Sequence, residues 1–322
     1  MPDAVAPPAR RPLLALLGAL GATVLGAVLL FAAVTKAIDP AAFAESVHAE
    51  GLDFVLPAGP SALLAIAIEA GLGTALLLGL RRPGVLVAAT GLAVLFLFLT
   101  GRTYVAHLRG VVSEASSCGC FGRFVERSPT EAFWQDVLLL VPTTALAWVG
   151  RPVGGARPWR RAALAGATAV AVTGFAVAAP SLPLDDVATR LSPGERLATL
   201  CVGDGKKVCL RDVLPLATEG RHVVVLADLD DAAFAAAVSD LNRFALDGGP
   251  TRLWVVTTAA KETVARFSLL SGATFPVLSA PAPLARPLYR RLPRSFLVVD
   301  GVVRETWDGL PPFATLLPTP PG

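Results

Sequence analysis

Residues 13–35, LLALLGALGATVLGAVLLFAAVT, contain no charged side chain. A helix rises about 1.5 Å per residue and the hydrocarbon core of a bilayer is about 30 Å thick, so a run of this length predicts a transmembrane helix. Four further runs are long and predominantly apolar, at about 61–80, 85–106, 132–149 and 162–179. The first is too long for the apolar core of a signal peptide. LLFAAVTKAIDP, at 29–40, also offers no clean small-residue cleavage site, so the run reads as a retained anchor.

Composition agrees with this reading. Apolar residues make up 54% of the 322-residue chain and charged residues only 16%, against about a quarter in soluble domains. Mean hydropathy is +0.61. The excess lies before Pro183; the remainder has ordinary soluble character. The expected fold class is therefore a membrane all-α helical bundle, four helices plus a fifth transmembrane helix, followed by an α/β domain. The expected boundaries are 1–182 for the bundle, 183–196 for a linker and 197–322 for the second domain. The net charge is +3, with arginines clustered at the ends of apolar runs. That distribution suits the bilayer as partner and gives no basis for nucleic acid.

The arginines also predict orientation. Arg10 and Arg11 precede the first run, Arg81 and Arg82 separate the second and third, and GRPVGGARPWRR at 150–161 joins the fourth to the fifth. If all five cross, these positions share one side, and positive charge marks it as cytoplasmic. The expected location is then a bacterial inner membrane with the N-terminus inside. The 38–60 loop, the 107–131 loop and everything after Pro180 would lie outside, and so would all four cysteines. That side is oxidising, where disulfides persist.

Past the bundle the pattern changes. LATLCVGDGKKVCLRDV, at 197–213, reads as a hairpin around Gly-Asp-Gly. HVVVLADLD and TRLWVVTTA read as strands, and DAAFAAAVSDLNRFALDGG and KETVARFSLLSG as helices that stop at glycine. RSFLVVDGVVRETW reads as a hairpin with Asp-Gly at its turn. Alternating strands and helices predict a central sheet. The Pro-rich end, LPPFATLLPTPPG, is expected to fray.

The chemistry rests on few residues. Cys118 and Cys120 share SCGCFG, 117–122, between the third and fourth runs. Disulfide exchange needs an accessible thiolate near a second sulfur. A Cys-Gly-Cys disulfide closes a small ring, which favours passing it on, and Gly119 permits the tight backbone. Arg109, Arg123 and Arg127 flank the loop and would favour thiolate if close, and His107 beside it could assist deprotonation. Two other readings stay open. Each cysteine could pair structurally with Cys201 or Cys209, or the pair could bind metal, although Cys-x-Cys without a second close pair is weak for zinc. Cys201 and Cys209 lie symmetrically about Gly205, so they should face each other across a hairpin, as a structural staple or a redox relay. Glu69 falls mid-run and Lys36 near the end of the first run. Buried charges in a membrane need partners, so a Glu69–Lys36 pair could join two helices and either support the loop or handle protons beside a bound quinone. Asp136 is a weaker candidate of the same kind. PAAFAESVHAEGL, 40–52, reads as a surface amphipathic helix on which His48 is solvated.

These residues resemble known families. LLFAAVTKAIDP, AIEAGLGTALLLGL at 67–80 and CGCFG make residues 13–149 similar to the DoxX/MauE membrane proteins, most of all the methylamine-utilisation branch. That resemblance implies a role in maturing disulfide-containing exported proteins. GDGKKVCLRDVLP, ARFSLLSGATFPVLS and RLPRSFLVVDGVV make 197–309 similar to membrane-anchored thioredoxin-like domains of the TlpA/ResA kind, with Pro293 as the cis-proline in a groove that holds extended peptide. The Cys-x-x-Cys that opens the helix after the first core strand in that family is missing: the position reads DLDDAAFA, 228–235.

Two functional expectations follow. One is a thiol–disulfide oxidoreductase that matures exported client proteins through Cys118 and Cys120, with a quinone or other redox partner as electron acceptor by fold analogy. The other is a redox-silent assembly factor whose cysteines are all structural. A small-solute transporter is a distant third, since only Glu69 and Lys36 break the apolar core.

Overall fold

The computed structural model describes residues 12–111, 127–149, 159–203, 207–247 and 249–316. The chain divides into two units, Met1–Leu182 and Pro183–Gly322.

The first unit holds α1 (Pro12–Ile38), α2 (Pro40–Ala49), α3 (Ala58–Leu77), α4 (Pro83–Leu108), α5 (Pro129–Val149) and α6 (Trp159–Ala178). All but α2 are long and apolar enough to cross a membrane, and they coincide with the five expected runs. α1 is central, packed on α3 and α5; α4 lies against α5 and α6 against α3. Lipid is as apolar as leucine, so close backbone approach must hold such helices together. The glycines show where this happens. A Cβ on Gly26 would stand 2.7 Å from the Gly73 carbonyl oxygen, and one on Gly73 would stand 2.7 Å from the Leu30 nitrogen. α1 and α3 therefore touch backbone to backbone. Leu25, Leu29, Leu76, Leu86 and Leu140 fill the space between α1, α3, α4 and α5.

Asp39 starts α2: its Oδ1 accepts from the Ala42 N–H at 3.1 Å, and Pro40 supplies a helical φ at the first position. The helix buries Val47 and packs on α3.

The second unit contains α7 (Asp185–Ala188), β1 (Cys201–Val202), β2 (Val208–Cys209), α8 (Leu210–Val213), β3 (Arg221–Leu226), α9 (Ala232–Ala236) and α10 (Val238–Asp247). It continues with β4 (Thr251–Thr257), α11 (Lys261–Ser271), β5 (Val277–Ser279), α12 (Ala282–Ala285), β6 (Arg294–Val299), β7 (Val302–Asp308) and α13 (Phe313–Leu316). The main sheet has the order β5-β4-β3-β6-β7. β3, β4 and β5 run parallel, while β6 is antiparallel to β3 and β7 to β6. The period of two splits each strand between the faces. Val224, Leu226, Phe296 and Val298 meet Leu191, Leu197 and Leu210 on one side. Val223, Val225, Leu253 and Leu297 meet Phe234, Leu241 and Phe244 on the other. The membrane bundle followed by an α/β domain is thus the architecture expected. Asp300 and Gly301 make the expected turn, both with positive φ, at 50° and 74°.

Two stretches differ from expectation. Residues 183–196, read as a linker, are folded into the second unit. Leu191 is fully buried in its core, and the Arg190 N–H donates to the Pro287 carbonyl at 2.9 Å. The cause is Arg294, itself buried. Its guanidinium donates to Asp186 Oδ1 at 2.9 Å, to the Leu191 carbonyl at 3.1 Å and to the Leu288 carbonyl at 3.0 Å, and also to Thr189 Oγ1. Arg290 bonds Asp185 alongside, at 3.3 Å. The start of the Pro-rich end is packed on the second unit as well: Phe313 meets Phe244 with tilted rings whose centres are 5.2 Å apart, and Leu316 is buried.

Candidate functional site

The Cys118–Cys120 loop falls in 112–126, outside the described residues, but both of its flanks are described. At the end of α4, Gly110 takes a left-handed φ of 71°. Its N–H donates to the His107 carbonyl at 2.9 Å, and the Val111 N–H donates to the Ala106 carbonyl at 3.0 Å. This Schellman closure stops the helix and leaves His107 half-buried in the last turn. At the start of α5 a capping box re-forms the helix. The Glu131 N–H donates to Ser128 Oγ at 3.2 Å, and the Ser128 N–H donates to Glu131 Oε2 at 3.1 Å. Arg127, which flanks the loop, bonds Asp136 at 2.9 Å, both groups being nearly buried. Asp136 thus finds its partner on its own side of the loop, which sequence reasoning missed because nothing in the spacing marks it.

Lys36 and Glu69 do meet. Both are 1% exposed, and Lys36 Nζ donates to Glu69 Oε1. Their positions in α1 and α3 are unequal, one at the end of its helix and the other past the middle. α2 and α3 both pack at this end of α1, where Ala37, Phe43, Leu63 and Ile66 form one apolar cluster. Phe43 of α2 and Phe96 of α4 cover the ammonium, with ring centres 4.7 Å and 5.0 Å away. Neither phenylalanine was legible in advance; an apolar residue in an apolar helix carries no mark. Close by, Arg102 bonds Glu50. His48, exposed as expected, bonds Asp53 at 2.6 Å. That hydrogen bond raises the histidine above its ordinary range and holds the carboxyl of Asp53 below its own.

In the second unit Cys201 and Cys209 are directly opposed in register and disulfide-bonded, with Cα atoms 3.9 Å apart. Bonded to each other, they are not available to staple Cys118 or Cys120. The Leu292–Pro293 bond is cis. After β3, Asp231 caps α9 through Oδ1, which accepts from the Ala233 N–H at 3.0 Å. Phe234 is buried there. The start of α9 is thus built from a capping carboxylate and an apolar anchor. Among the described residues no cluster of His, Cys, Asp and Glu could hold a metal ion.

No curated protein matches the chain. Residues 14–149, which span α1 to α5 and the Cys-Gly-Cys loop between α4 and α5, match the family model of methylamine utilisation protein MauE, so the membrane part of this multi-pass protein is similar to that family.

Proposed function

We propose that the chain is a membrane-bound thiol–disulfide exchange factor for the maturation of exported proteins. The observation that carries this reading is the MauE match, because its span encloses Cys118 and Cys120. The family's name also supports a client within methylamine utilisation. In the proposed step a client dithiol attacks the Cys118–Cys120 disulfide. The client leaves as a disulfide, and Cys118 and Cys120 are left as thiols. Two electrons and two protons then pass to an acceptor, for which a quinone is the class proposed. The arginines at 10–11, 81–82 and 151–161 favour a cytoplasmic N-terminus, with the cysteines and the second unit on the exported side. The strand order, the parallel β3–β4 pair and the antiparallel β6–β7 hairpin support a thioredoxin-like second unit. Without a dithiol after β3, that unit would bind the client as an extended strand near Pro293, with Cys201–Cys209 as staple or relay.

The missing dithiol favours one rival, a redox-silent assembly factor. Non-reducing mass spectrometry of the purified chain across a glutathione redox series separates the two. Exchange requires a Cys118–Cys120 bond that reduces reversibly at a potential well above that of Cys201–Cys209, and loss of client oxidation when either residue becomes serine. If Cys118 and Cys120 resist reduction together with the other pair, the scaffold reading stands.

A further inference from the structure

A cavity of about 360 Å³ lies among α1, α2, α3 and α4, within the size range of small-molecule sites. Its wall is apolar over most of its extent, with Leu64, Ile68, Leu95 and Leu99 among the lining side chains. Three of these, Leu64, Ile68 and Leu95, are also 38–50% exposed on the helix surface. In a bundle with membrane-spanning helices, that surface faces lipid.

One part of the wall differs. Lys36 and Glu69 line the cavity, and so do the two rings, Phe43 and Phe96, that cover the ammonium. A pair that served only to tie α1 to α3 would satisfy both of its members. This one does not. Glu69 Oε2 is buried without a hydrogen-bond partner among the described residues, an arrangement that is destabilising when nothing fills it. Glu69 is the one hydrogen-bond acceptor of Lys36 among the described residues, and the rest of the ammonium lies against the faces of Phe43 and Phe96. A spare acceptor and an ammonium with a single hydrogen bond therefore sit at the wall of an apolar room that opens toward lipid.

We infer that this cavity binds a membrane-dissolved lipophile with a planar, carbonyl-bearing head, of the quinone class. A carbonyl oxygen would accept from Lys36 Nζ, and the hydroxyl of the reduced form of the same head would donate to Glu69 Oε2. A flat ring fits beside Phe43 and Phe96, and an apolar tail fits along Leu64, Ile68 and Leu95. The ester carbonyl of a membrane lipid offers the same acceptor without the flat ring, which makes it the competing occupant. The inference concerns binding alone and does not rest on the exchange reading.

The test is equilibrium binding of a decyl-tailed benzoquinone to the full chain in phosphatidylcholine nanodiscs. Saturable binding is expected despite the excess of phospholipid. Lys36→Met should weaken it by at least about tenfold, the effect of losing a hydrogen bond to a charged donor. Because that variant can fail to fold, Ala65→Phe is the second arm. Ala65 lines the cavity but takes no part in the ion pair, so this variant should abolish binding while thermal stability is kept. The Cys118→Ser/Cys120→Ser chain should bind as the parent does, so failure of the exchange mechanism would leave this result standing. Absence of saturable binding, displacement by diacyl lipid, or equal affinity in the parent and a folded Ala65→Phe chain would overturn the inference.

Discussion

Arg294→Met tests whether one buried guanidinium fixes residues 185–191 to the sheet. The side chain is 1% exposed and serves two main-chain carbonyls, of Leu288 and Leu191, besides Asp186 and Thr189. Methionine fills similar volume but donates nothing. Two buried carbonyls then go unmade, at about 1–3 kcal/mol each. Burying the thioether returns about 1 kcal/mol of this, leaving a net cost of about 1–5 kcal/mol. At about 1.4 kcal/mol per decade, amide exchange in peptides covering 185–191 and 294–299 of the full chain in detergent should accelerate roughly 5- to 4,000-fold. Asp186→Asn is the comparison. That carboxylate is 54% exposed and also receives the Thr306 hydroxyl at 2.7 Å, so water screens it and its loss should cost less than about 1 kcal/mol. The reasoning fails if the two variants accelerate exchange equally, because the ion pair and not the carbonyl capping would then hold the segment. It fails too if Arg294→Met changes exchange by less than about threefold.

Other outcomes follow from the same structure. His48 should titrate above the ordinary histidine range, because its hydrogen bond to Asp53 favours the charged ring. The pair is therefore complete below about pH 6.5 and lost as pH rises through the elevated folded value; Asp53→Asn should return the NMR titration of the ring to about 6.5. Cys201→Ser/Cys209→Ser removes a crosslink across a separation of 8 residues, for which chain entropy gives about 2.5 kcal/mol. Calorimetry should show a lower transition temperature, and client oxidation should survive if the bond is a staple and fail if it is a relay. Gly73→Val should disrupt α1 against α3, since its first carbon already lies 2.7 Å from the Leu30 nitrogen, whereas Gly91→Ala, with nothing within 4 Å of the added carbon, should leave the folded yield in detergent unchanged.

Much of the fold could be read from the chain because the deciding energies are local. A predominantly apolar run of about bilayer thickness forms a helix long enough to cross a membrane whatever its neighbours, and five such helices lie where expected. Cys201 and Cys209 oppose each other across β1 and β2, as their even spacing about Gly205 in the sequence led one to expect, and Asp300-Gly301 supplies the positive φ of the next hairpin. The pairing of buried charges could not be read to the same depth. Lys36 and Glu69 could be named as candidates, but their contact depends on how α3 packs on α1, where Gly26 lies on Gly73. Phe43 and Phe96 gained their meaning only from the ammonium placed between them. Arg294 captures a segment more than 100 residues earlier in the chain, so 183–196 looked like a linker until the sheet brought its partner alongside. Sequence alone determined which segments are helix, strand or turn, since capping, periodicity and desolvation act within a few residues. Which charge meets which, and where a polar wall faces an apolar cavity, was decided only when distant helices and strands packed together.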